Sequence, residues 1–172
     1  MKKFFLAILI LTMSTVLFAS TGGFIDFIAT RPSNTVSYIG TFGLSIFLEM
    51  ENLAGIENLS LRPKLTYGIG TGLIREDANE SNIVYSVLIP DISLIYYIRE
   101  FTEATKNGFV FYVGAGALMT FRFEHYYLDY FSDGIYYKYP YPALKFGLDI
   151  NRKLLLELSI SSPVMISIGL RF

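Results

Sequence analysis

The chain has 172 residues, 52% hydrophobic and 16% aromatic, with a formal net charge of −1 at pH 7. Fourteen basic against fifteen acidic side chains leave no electropositive footprint, which argues against nucleic acid as a partner. Cysteine is absent and histidine occurs once, so the composition supports neither a disulfide framework nor a Cys/His metal centre.

The N-terminus carries Lys2 and Lys3, then an apolar run from Phe4 to Phe18 and a small residue, Ala19. This is the pattern of a secretory signal peptide, so residues 1–19 are expected to be removed and residues 20–172 to form one domain. The run is short for a permanent anchor, and no later stretch reaches the ~18 unbroken apolar residues of a helical span. If the mature chain lies in a membrane, it must therefore do so as a closed barrel, because open strands would leave backbone groups unpaired in lipid.

From there the chain reads as strands separated by polar, turn-rich segments. The first, near Gly23 to Thr30, alternates poorly and contains Asp26. The second, Thr35 to Met50, sets Phe42, Leu44, Ile46, Leu48 and Met50 against Thr41, Gly43, Ser45 and Glu49, with Ile39 and Phe47 out of pattern. The third, Leu59 to Leu73, repeats this scheme, and Pro63 within it predicts a local irregularity. Arg75 to Ser81 reads as a charged loop. The fourth strand, Asn82 to Ile98, puts Asp91 and Ser93 opposite Pro90, Ile92, Leu94 and Tyr96. In the fifth, Phe109 to Glu124, aromatic and alanine residues oppose Tyr112, Gly114, Gly116, Thr120, Arg122 and Glu124. An aromatic loop follows from His125 to Tyr137. The sixth strand ends at Ile150, the seventh covers Lys153 to Ser161, and an eighth closes the chain. At the sixth-to-seventh hairpin, face parity and charge favour a loop of Ile150 to Arg152. That loop would pair Asp149 with Lys153 and Lys145 with Glu157.

The eighth strand places Val164, Ile166, Ile168, Leu170 and Phe172 on one face. It resembles the C-terminal signal of bacterial outer-membrane β-barrels, and Phe111 to Gly116 looks like strands of small OmpA-like barrels. The resemblance implies an eight-stranded antiparallel up-and-down transmembrane β-barrel in the outer membrane. It also implies recognition by the barrel-assembly machinery through Ile168, Leu170 and Phe172. A periplasmic C-terminus would put the Arg75–Ser81 and His125–Tyr137 loops outside the cell.

Alternation alone does not say which face is inside. A soluble lipocalin-like barrel would turn the apolar face inward, whereas a membrane barrel turns it to lipid. Volume favours the second arrangement, because eight strands enclose space just sufficient for side chains and the apolar face is far too bulky. The expected interior charges are Glu49, Arg62, Lys64, Asp91, Arg122, Glu124, Lys145, Asp149, Glu157 and Arg171. Isolated charges there are costly, so a paired network that plugs the lumen is expected, the alternative being a narrow ion path. His125, Ser132 and Asp133 make the only hydrolase set that can be written, and no nucleophile motif supports it. No cofactor is implied. Tyr126, Tyr127, Tyr130, Phe131, Tyr136 and Tyr137 form either an interfacial girdle or a surface for a ligand of unknown identity.

Overall fold

The computed structural model describes residues 19–29, 36–76, 79–98, 108–126 and 134–172. Eight strands follow in order: β1 (Ala19–Ala29), β2 (Val36–Met50), β3 (Leu59–Glu76), β4 (Asn79–Ile98), β5 (Phe109–Tyr126), β6 (Gly134–Ile150), β7 (Leu154–Ile160) and β8 (Val164–Arg171). Each pairs antiparallel with its sequence neighbour, and β1 pairs with β8, so the sheet is a closed barrel without a crossover.

Alternation in sequence becomes inside and outside in space. On β2, Thr41, Ser45 and Glu49 are buried, whereas Leu44 and Ile46 expose 68% and 69% of their surface. The exposed apolar belt continues through Ile25, Ile69, Phe111 and Ile168. A water-facing surface does not carry so large an apolar area; a lipid-facing one requires it.

The end holding the β2–β3 and β6–β7 connections and the C-terminus is called the near end here. Its β2–β3 connection is compact, with a single 3-10 turn at Leu53–Gly55. The far end is uneven. β6 pairs with β7 only from Leu144 to Ile150, so residues 134–143 have β5 on one side and no β7 partner. Pro140 and Pro142 lie on that stretch, where a missing donor is tolerated and discourages edge pairing.

Several expectations are corrected. β1 begins at Ala19 rather than Gly23, and Asp26 is fully buried within it. Pro63 causes no register shift: it pairs with Ile92 in an unbroken β3–β4 ladder. The irregularities fall instead between Tyr38 and Gly40, where Ile39 is the extra residue, and between Leu118 and Thr120 opposite Tyr139 and Pro140. The first explains why Ile39 broke the pattern. Arg75, Glu76, Glu80 and Ser81 belong to strands, leaving only residues 77–78 between β3 and β4. Likewise Tyr126 ends β5, and Tyr136 and Tyr137 lie on β6.

The β6–β7 hairpin also differs from expectation. Ile150 pairs with Leu154, so the turn is Asn151–Lys153, with Asn151 and Arg152 at φ 54° and 56°. Lys145 then faces Ser159, Gly147 faces Glu157, and Asp149 faces Leu155. The shift is two residues, which preserves every side chain's face but changes every partner.

Candidate functional site

The chemistry-bearing side chains converge in the lumen, in two tiers. The near tier is ionic. Arg62 on β3 donates through Nη2 and Nε to Glu49 Oε2, at 3.0 and 3.3 Å, and through Nη1 to Glu157 Oε2 at 2.7 Å. Its guanidinium also lies 4.9 and 5.2 Å from the ring centroids of Tyr112 and Phe47. A planar, five-donor group suits this position because it satisfies two carboxylates and stacks on aromatic rings at once.

Arg171 extends the network toward the near end, with Nη2 2.7 Å from Glu49 Oε2 and Nη1 2.6 Å from Asp149 Oδ2. Tyr97 donates its hydroxyl to Glu49 Oε1 at 2.6 Å and accepts from Arg62 Nη2 at 2.9 Å. Deeper in, Lys64 binds Asp26 at 2.9 Å and lies 4.5 Å above the Phe24 ring. Ser45 and Ser167 also donate to Asp26. Lys145 pairs with Asp91, to which Ser93 donates at 2.6 Å.

Glu157 is the hub. Besides Arg62, its carboxylate lies 3.6 Å from Lys145 and 3.7 Å from Lys64, and Tyr112 donates to it at 3.0 Å. Gly147 makes the last contact possible. Tyr112, Gly147 and Glu157 form one row across three strands, and a Cβ on Gly147 would occupy the position of the Tyr112 ring.

The far tier is apolar: Ile28, Tyr85, Val87, Ile89, Leu118, Ala143 and Met165 pack together. Ile28 reaches over Gly43 and Gly68, whose bare backbones leave room for its Cδ1. A second apolar cluster, Phe24, Phe47, Ile95, Tyr112 and Leu155, packs among the charges of the near tier.

Of the ten charges expected inside, eight are joined here: Glu49, Arg62, Lys64, Asp91, Lys145, Asp149, Glu157 and Arg171. Arg122 is half-buried on β5, at the register position of Val87 in the apolar tier. Glu124 pairs by backbone register with Tyr85 and Gly134. Lys145 and Glu157 do meet, but diagonally, and the principal partner of Lys145 is Asp91. A double charge reversal at 145 and 157 would consequently set a carboxylate against Asp91. Asp26, Tyr97 and Tyr112 are network members beyond those expected from the sequence.

His125 lies near the end of β5, while Ser132 and Asp133 lie outside the described residues, as do Tyr127, Tyr130 and Phe131. Among the described residues, no group of three or more His, Cys, Asp and Glu side chains is placed to hold a metal.

A closed sheet with a lipid-type exterior and an ion-paired interior defines an eight-stranded up-and-down transmembrane β-barrel. In fold the chain is similar to the crystal structure of Neisserial surface protein A (NspA), at 12% identity and a TM-score of 0.49, covering 89% of this chain and 95% of that one. It is also similar to the N-terminal β-barrel domain of Pseudomonas aeruginosa OprF, at 15% identity and a TM-score of 0.42, covering 88% and 97%. No family model and no curated protein matches the sequence.

Proposed function

We propose that this chain is an exported barrel of the bacterial outer membrane with a structural or surface-binding role in the envelope, acting neither as an open pore nor as an enzyme. The observation that carries this reading is the content of the lumen: Arg62, Lys145 and Glu157 are fully or almost fully buried in the near tier, as are Ile89, Leu118 and Met165 in the far tier. Eight strands leave little room beside such side chains. Planar-bilayer recording of the purified barrel tests it. Silence, or rare brief openings, is expected. Large steady conductance would overturn the reading and make the same charges the selectivity determinants of a pore.

Export and assembly rest on the two ends. Residues 1–19 have the signal-peptide pattern, and β8 carries Ile168 and Leu170 on its lipid-type face, with Phe172 following directly after its last residue. Phe172 is 82% exposed, and its backbone N–H donates to Thr21 O at 2.7 Å. Its ring contributes little packing, so its role is recognition by the assembly machinery. Deleting Phe172 is expected to cut the amount of heat-modifiable barrel recovered from cells severalfold, while barrel refolded in vitro keeps its unfolding midpoint. Unchanged recovery from cells would count against that role. With the near end periplasmic, the far end, where Tyr126 ends β5 and Tyr136 and Tyr137 lie on β6, is the extracellular side.

A further inference from the structure

The two tiers fill the lumen with different chemistry, and the far one forms a complete cross-section. Ile28 reaches into it from β1, Ile89 from β4, Leu118 from β5, Ala143 from β6 and Met165 from β8, and each exposes 2% or less of its surface. On β2 and β3 the paired glycines Gly43 and Gly68 lie under Ile28, whose Cδ1 would stand 3.1 and 3.0 Å from a Cβ added at either. Ser159 of β7 is the register partner of Met165, and both are fully buried. Thr41 and Tyr85 join hydroxyls across the same level, and a Cβ on Gly70 would collide with the Tyr85 ring. All eight strands thus meet the plug.

The near tier is built from donors and acceptors, and water reaches it at the near mouth, where Tyr97, Asp149 and Arg171 line a small open recess. An ion entering there meets carboxylate, phenol and guanidinium groups that can replace part of its hydration shell. At the far tier it meets hydrocarbon from five strands and bare glycine from two, and almost nothing there replaces the water it must shed. Charged constrictions set selectivity in narrow pores, whereas apolar ones close them by dewetting. Resting on the reading of a barrel without an open pore, we infer that the far tier is its seal, a hydrophobic gate. The ionic tier is then a water-reached vestibule, which ties the strands together without itself stopping ions. With the near end periplasmic, that vestibule opens to the periplasm and the gate closes the outer side.

Planar-bilayer recording of the full barrel beside three variants tests the gate, each variant first shown to be folded by its heat-modifiable gel mobility. Leu118→Ser combined with Met165→Ser both empties and wets the far tier, and should raise the mean current at fixed voltage by an order of magnitude or more over the parent. Arg62→Met combined with Glu49→Gln and Glu157→Gln neutralises the centre of the near tier and leaves the far tier intact, so it should stay as silent as the parent. Val87→Thr combined with Ala143→Ser adds two hydroxyls to the far tier with little change of shape. Its brief openings should be severalfold more frequent than the parent's, and it serves where the larger change does not fold. Silence in both far-tier variants would overturn the gate and leave the closed-barrel reading standing. So would conduction in the near-tier triple variant, which would make the ion pairs the seal. Steady conductance in the parent itself would overturn the closed-barrel reading instead, since neither tier would then close the lumen.

Discussion

Replacing Arg62 by methionine is expected to destabilise the barrel by about 3–5 kcal/mol, the range for breaking a buried pair from one side. Arg62 is the shared partner of Glu49 and Glu157, so its removal strips a partner from two buried carboxylates and a donor from Tyr97 and Tyr112. Lys64 and Lys145 remain near Glu157, at 3.7 and 3.6 Å, and keep the loss below that of a wholly orphaned charge. Urea unfolding in detergent, followed by tyrosine fluorescence and gel mobility, measures it. Arg152→Met, on the exposed near-end turn, should stay within about 0.5 kcal/mol. Combining Arg62→Met with Glu49→Gln and Glu157→Gln should recover part of the loss, because a neutral interior avoids the uncompensated charges. Equal stability of Arg62→Met and the parent barrel would mean that the ionic tier does not hold the strands together.

Leu44→Arg is expected to cost about 2–4 kcal/mol when the barrel folds into lipid vesicles, the price of a charge on the lipid face near the bilayer midplane. Leu44 lies midway along β2 and points outward beside Ile25 and Tyr67. Ile56→Arg, in the near-end β2–β3 connection, should change stability by no more than about 0.5 kcal/mol. A water-facing Leu44 would instead tolerate arginine without loss.

These two residues also show what was legible in the sequence. Strands that alternate with period two disclose their faces, and Leu44, Ile69, Ile168 and the inward Glu49, Arg62 and Lys145 could all be assigned that way. β1 could not, because it is apolar on both sides: Phe24 and Ile28 fill the lumen while Ile25 and Phe27 meet the exterior. Asp26 was hidden in that run, although a lone carboxylate among apolar residues is itself a sign of a buried partner, here Lys64. Register was less legible than face. Parity leaves shifts of two residues undecided, and the β6–β7 shift turned on Asn151 and Arg152 both adopting positive φ, which asparagine permits and arginine does not advertise. Strand ends failed for another reason: charged Arg75, Glu76 and Glu80 look like loop in sequence, yet beyond a bilayer a strand can carry them. Tyr112 was legible as an inward residue, but its reach to Glu157 over Gly147 depends on a three-strand row that only the register reveals.

The most direct measurement uses the absence of tryptophan from the chain. Single tryptophans placed in turn at Leu44, Ser45, Ile46, Ile166, Ser167 and Ile168 are reconstituted in vesicles containing brominated phospholipid, and quenching is read at each position. The structure predicts strong quenching at 44, 46, 166 and 168 and weak quenching at 45 and 167, the pattern of a barrel with its apolar face in lipid and its charges inside. Quenching strongest at 45 and 167, or absent at all six, would contradict it.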